Sequence, residues 1–216
     1  IRLSLVGSEM CIRDRPGVDW DARTTGGIGL IGCGNFSSRV LVPALRASGA
    51  SPSVFASANG LTARLLAGPA AASTTDISAL LDYQGVSSVF IATRHDEHGE
   101  LARRALFAGK SVWVEKPLAL TEADLDATLA VARASSTKLT VGFNRRFAPL
   151  AVRLRAALAG KSGPRRFTVD VNAGRLPADH WTLDPKQGGG RIVDEACHFV
   201  DMMRFLSGSA IASDRA

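Results

Sequence analysis

From Gly27 onward, short apolar runs alternate with longer stretches whose apolar residues recur every three or four positions. The runs at residues 28–31, 53–56, 88–92, 111–114 and 139–141 are β-type and each short enough to be a buried central strand. The stretches at 39–47, 61–67, 97–108 and 122–134 have helical spacing, and Thr121 with Asp124 makes a capping-box-like start to the last of them. Gly109-Lys110 ends the third, as a glycine past a helix terminus does. Strand and helix in strict alternation predict an α/β fold with a parallel sheet covered by helices.

After Phe143 the rhythm changes. A helical stretch at 150–158, a Gly-Lys-Ser-Gly-Pro turn at 160–164 and a β-type run at 165–171 predict a second domain. A loop from Pro177 to Gly190 and an amphipathic helix over 191–206 follow. The expected division is a first domain over 27–145 and a second, incomplete one from 146 to 216.

Composition changes this picture only at the amino terminus. Residues 8–15, Ser-Glu-Met-Cys-Ile-Arg-Asp-Arg, read as a translated sequencing-library adapter, so residues 1–15 are set aside and 16–26 are taken as a linker. A basic arm or a poor signal peptide is the alternative, but Glu9, Arg13, Asp14 and Arg15 interrupt the apolar core such a peptide needs. Setting the segment aside removes three arginines and two acids and lowers the formal charge from +6 to +5. The basic pairs 103–104, 145–146 and 165–166 are dispersed, with acids between them and no aromatic platform, which argues against nucleic acid. No run of about 18 uncharged apolar residues is present, so no membrane partner is expected. Cys33 and Cys197 have no metal-type or disulfide-framework spacing; no metal and a reducing, cytoplasmic setting are expected.

Three motifs carry chemistry. Residues 29–37, Gly-Leu-Ile-Gly-Cys-Gly-Asn-Phe-Ser, put a glycine-rich turn between a strand and a helix. Gly32 allows the tight turn and Gly34 the approach of a pyrophosphate to the amides of a helix beginning near Ser37, with Asn35 and Phe36 as further cofactor candidates. Ser37 stands where a third glycine is usual, and a purely structural βα turn would read the same. About 20 residues on, a dinucleotide fold places a carboxylate for the adenosine ribose. Here that position reads Ala56-Ser57-Ala58-Asn59, and Ser57 or Asn59 can bond a ribose hydroxyl or a phosphate, leaving NAD or NADP open.

The second motif is Glu115-Lys116-Pro117 at the end of an apolar strand. That is the sheet edge where open α/β folds bind ligands, and a lysine there projects into a crevice or simply onto the surface, with Glu115 able to pair with it. The third is residues 188–198, with Asp194 and His198 four apart on one helical face. A carboxylate beside an imidazole orients it and raises its basicity, although exposed pairs at this spacing are common. His180 and Trp181, in the loop before the glycine triplet, are weaker pocket candidates.

Glu-Lys-Pro after a glycine-rich dinucleotide turn resembles the signature of the Gfo/Idh/MocA oxidoreductases, and the resemblance runs from about Gly27 to Ile211. It implies a Rossmann-like doubly wound parallel sheet followed by an α+β substrate domain, here truncated. It also implies that Thr93, Arg94, His95 and His98 lie in a loop against the cofactor, with Glu115, Lys116 and Pro117. Residues 142–147 resemble the crossing into the second domain, with Asn144, Arg145 and Trp181 as substrate candidates. By resemblance, Lys116, His198 and Asp194 are catalytic. Within the family the sequence is most similar to a branch fused behind a zinc-type alcohol-dehydrogenase-like module.

The implied activity is NAD(P)-dependent hydride transfer at a hydroxyl-bearing carbon of a sugar, cyclitol or nucleotide-sugar, in a full-length protein that forms homo-oligomers. A non-catalytic dinucleotide sensor of a larger fused protein is the alternative. If the chain is a fragment, it would expose apolar helix faces and a strand edge, associate, and lack activity on its own.

Overall fold

The alternating pattern becomes a six-stranded, all-parallel sheet in the computed structural model, which describes residues 26–211. Residues 1–25, which hold the adapter-like run, lie outside the described residues. The strands are β1 (Gly27–Ile31), β2 (Pro52–Ala56), β3 (Ala72–Thr74), β4 (Val86–Ile91), β5 (Ser111–Val114) and β6 (Leu139–Val141). Their order across the sheet is β3-β2-β1-β4-β5-β6, that of dinucleotide-binding folds, with its reversal between β1 and β4.

Alternation along each strand divides the apolar side chains between two layers. Leu30, Phe55, Phe90 and Trp113 face α1 (Val42–Ala47) and α2 (Gly60–Ala67). On the other face Val54, Val89, Ile91, Val112 and Val114 meet α3 (Ile77–Asp82), α4 (His98–Phe107) and α5 (Glu122–Ala134). Burial of both faces is why these strands read as continuous apolar runs.

Two elements were not expected from the sequence. β3 is three residues long, Ala-Ser-Thr, and has neither alternation nor β-branched density; it is a strand because β2 offers it a ladder. α3 spans six residues, and Asp76 caps it by accepting from the Ser78 amide at 2.8 Å. Helix α5 is capped as expected by Thr121, whose hydroxyl accepts from the Asp124 amide. The reciprocal half of the box is absent because the Asp124 carboxylate is bound by Arg103 of α4. Lys110 is a buried lysine whose ammonium donates to the carbonyls of Tyr83 and Val86 at 3.0 and 2.8 Å, stapling the α3–β4 turn.

The described residues divide into two units between Val141 and Gly142. In the second, α6 (Pro149–Leu158) and α7 (Cys197–Ser207) pack on one another, and a π-helical turn at Ile192–Ala196 precedes α7. Residues 165–171 are not a strand, although Phe167, Val169 and Val171 alternate as a strand would. Among the described residues no neighbouring strand is available to satisfy the backbone groups of that run.

Candidate functional site

In the first unit the sheet order gathers three loops at one edge. The glycine-rich turn follows β1, residues 92–98 follow β4, and Glu115-Lys116-Pro117 follows β5, and these strands are adjacent. Gly32 has φ +95°, and a Cβ there would lie 2.4 Å from the Ala92 carbonyl oxygen, so only glycine lets the β1 turn close against the β4 loop. Around Gly34 a Cβ would meet nothing within 4 Å: the space in front of the turn is open, as a phosphate needs.

The helix begins at Asn35, two residues earlier than expected, and passes through a π turn at Ser37–Leu41 before α1. Ser37 is fully buried and its hydroxyl donates to the Gly32 carbonyl at 2.5 Å. The missing third glycine is thus replaced by a side chain that ties the turn together. Cys33, inside the motif, is no nucleophile. Burial pushes its thiol up to about 12, and its sulfur donates to the Ala56 carbonyl at 3.7 Å. The turn, its open front and its helix start fit a dinucleotide pyrophosphate.

The β4 and β5 loops are joined through His98. This fully buried imidazole contacts the Pro117 carbonyl at 2.7 Å through Nδ1, and because a carbonyl only accepts, Nδ1 carries the proton. Burial is the main cause lowering the imidazole to about 4, outweighing the carbonyls of Pro117 and Thr93, so it is neutral at pH 7. His98, expected among the cofactor contacts, therefore anchors the loop that carries Lys116. His95 is also buried, its ring 5.6 Å from that of His98, in a short 3₁₀ turn preceded by Thr93 and Arg94.

Glu115 keeps one carboxylate oxygen on the Lys116 backbone amide at 3.2 Å, while Oε1 is buried with no hydrogen-bond partner among the described residues. Burial pushes this carboxyl up to about 7 against the Lys116 charge and amide, which pull it down. A buried acid raised in this way, with an unsatisfied oxygen at the end of β5, suits a polar ligand group.

The second unit holds the other candidates. Asp194 lies in the π turn and His198 in the first turn of α7, so the pair does not sit on one continuous α-helical face as the spacing predicts. His198 is buried, with the Phe143 ring edge-on at 6.3 Å. Arg145 stacks over Phe199 at 4.3 Å and faces Glu195 at 4.0 Å, while Asn144 is exposed. His180 caps the turn at Trp181–Leu183 by accepting from the Thr182 amide, with Trp181 stacked beside it. Gly188 is needed there, because a Cβ would lie 2.2 Å from the Thr182 Cα. Sequence reasoning missed the Arg146–Asp201 pair. Asp201 is buried, three residues after His198, and takes both a 2.9 Å bond from Arg146 Nε and a second from its Nη2. An acid set among Phe199, Val200, Met202 and Met203 was the available signal.

The model of an oxidoreductase family with an NAD-binding Rossmann fold, Gfo/Idh/MocA, matches residues 27–143, more than half of the chain, and that of the same family's C-terminal α/β domain matches 164–216. The chain belongs to the Gfo/Idh/MocA family. Its cofactor class is NAD or NADP. It is 33% identical over 147 residues to an inositol 2-dehydrogenase of Rhizobium meliloti, covering 68% of this chain and 44% of that protein. It is 30% identical over 193 residues to a 1,5-anhydro-D-fructose reductase of Ensifer adhaerens, covering 82% and 55%. An oxidoreductase domain protein from Kribbella flavida superposes with a TM-score of 0.75 at 32% identity, covering 86% of this chain and 54% of that one. The chain spans about half the length of these Gfo/Idh/MocA relatives. Among the described residues no helix is long and apolar enough to cross a membrane, and no cluster of three His, Cys, Asp or Glu could hold a metal.

Proposed function

We propose that the protein transfers a hydride between NAD(P) and a hydroxyl-bearing carbon of a sugar, cyclitol or nucleotide-sugar. The observation that carries this reading is the placement, at one sheet edge, of an open glycine-rich turn after β1 and a lysine after β5, two strands away. The bound cofactor supplies hydride acceptance or donation; the protein supplies position and charge. Gly32, Gly34, Asn35 and Phe36 receive the pyrophosphate, Ser57 the adenosine ribose, and Thr93, Arg94, His95 and Glu115 line the nicotinamide side. Lys116 binds the reacting oxygen and lowers the cost of its developing negative charge. His198 accepts the hydroxyl proton and Asp194 orients the imidazole, while Asn144, Arg145 and Trp181 hold the remaining hydroxyls. The inositol and anhydrofructose activities of the two relatives support a polyhydroxylated substrate.

The domain division at 145/146, homo-oligomerisation and the fused zinc-type alcohol-dehydrogenase-like module belong to the same proposal. Lys116→Ala is expected to bind NADH as the wild type does and to lose at least about a hundredfold in turnover on a sugar and cyclitol panel. Undiminished turnover in that variant rejects the role of Lys116. Cofactor binding by the wild type without hydride exchange on any panel member supports the sensor instead.

A further inference from the structure

The end of β2 carries no carboxylate, and hydrogen-bond direction there separates the two cofactors. Thr62 Oγ1 lies 2.8 Å from the Asn59 carbonyl oxygen, which only accepts, so the single hydroxyl proton of Thr62 is spent on it. Ser57 Oγ lies 3.3 Å from the same Thr62 oxygen, and Ser57 is therefore the donor in that contact. With its proton turned toward α2, the half-buried Ser57 hydroxyl presents lone pairs outward from the sheet edge. We propose that Ser57, polarised in this way by Thr62, is an acceptor for the adenosine 2′-hydroxyl and makes the protein selective for NAD(H) over NADP(H).

The charges around this position agree. A 2′-phosphate needs donors and positive charge. Between Pro52 and Ala67 the sole cation is Arg64, and its guanidinium donates to the Gly68 carbonyl at 2.7 Å, at the far end of α2. The amides of Leu61 and Thr62, which could otherwise receive a phosphate, both donate to Asn59 Oδ1. That leaves the neutral Asn59 NH₂ as a side-chain donor, too weak to offset a dianion. On the neighbouring strand, Thr74 pairs in register with Ala56, and Asp76, two residues on, adds a negative charge to the same edge.

The inference rests on the NAD(P)-binding reading above and is tested apart from turnover. The 216-residue chain is titrated by fluorescence with NADH, NADPH and the 2′-deoxyadenosine analogue of NADH, as wild type and as Ser57→Ala. NADH is expected to bind at least about tenfold more tightly than NADPH. The deoxy analogue should bind about three- to tenfold more weakly than NADH, the range of one hydrogen bond. In Ser57→Ala that gap closes, because NADH falls to the analogue's affinity and the analogue is unaffected. Equal or tighter binding of NADPH overturns the selectivity while leaving the oxidoreductase reading intact. A deoxy penalty that survives in Ser57→Ala, or is absent from the wild type, overturns the acceptor role. Failure of all three nucleotides to bind removes the NAD(P) reading and this inference together.

Discussion

The two units are held together by different means. In the first, two apolar layers sandwich a sheet whose central residues Leu30, Phe55, Val89 and Ile91 are fully buried. Among the described residues of the second, Ala151 and Leu206 are the buried apolar side chains, and the other buried side chains are Thr182, His198 and Asp201. Its ties are ionic and polar: Arg146 to Asp201, Arg191 to Glu195 at 2.5 Å, and Arg155 to the Phe205 carbonyl at 2.7 Å. Phe147, Leu150 and Ile192 are each about three-quarters exposed. Each described strand of the first unit is paired with at least one neighbour, whereas the β-type run at 165–171 of the second has none among the described residues.

This difference can be broken from either side. Phe55→Ala, in the middle of one apolar layer, should destabilise the first unit by about 3–5 kcal/mol, read as a shift in the urea midpoint. A much smaller shift would mean that the layer collapses around the gap.

Next in size is a pH effect at the β5 loop. Below about pH 4.5 the Glu115 carboxyl is protonated whether folded or unfolded. As pH rises from 4.5 to about 7 the unfolded chain loses this proton first, so stability falls across that window and levels off above it. Glu115→Gln should therefore be more stable than the wild type at pH 8, by up to about 3 kcal/mol, and equal to it at pH 4. His98 acts in the opposite sense: its folded value near 4 against an ordinary 6.5 removes stability as pH falls through that interval. Denaturation of both proteins between pH 4 and 8 checks the two signs, and a flat difference would discard the Glu115 assignment.

The smallest effect is expected in the second unit. Arg146→Ala leaves the buried Asp201 carboxylate without its cation, at a cost on the order of 2 kcal/mol, reduced from a fully buried pair because Arg146 is 35% exposed. Hydrogen exchange should rise across α7 and leave β1, β4 and β5 unchanged. Spread of the change into the sheet would show that the units do not melt separately.

The sequence pattern found β1, β2, β4 and β5 because strands buried on both faces are largely apolar, and it found the edge strand β6 from its short Leu-Thr-Val run. It missed β3, whose Ala-Ser-Thr has no strand signature of its own. It singled out Lys116 because a cation at the end of an apolar strand is conspicuous, and it singled out His98 as a cofactor contact without showing that His98 also holds the Pro117 carbonyl. Nothing in the spacing of His98 and Pro117, nineteen residues apart, shows that one holds the other.

By itself, then, the sequence determined the order and character of the elements and the glycine-rich turn, all local consequences of side-chain volume, polarity and backbone freedom. Tertiary structure alone decided which loops share an edge, where Asp124 and Asp201 spend their charges, and that burial lifts Glu115 and lowers His98. These depend on the distance and direction between groups far apart in the chain, and hydrogen bonds and desolvation are set by such distances rather than by residue order.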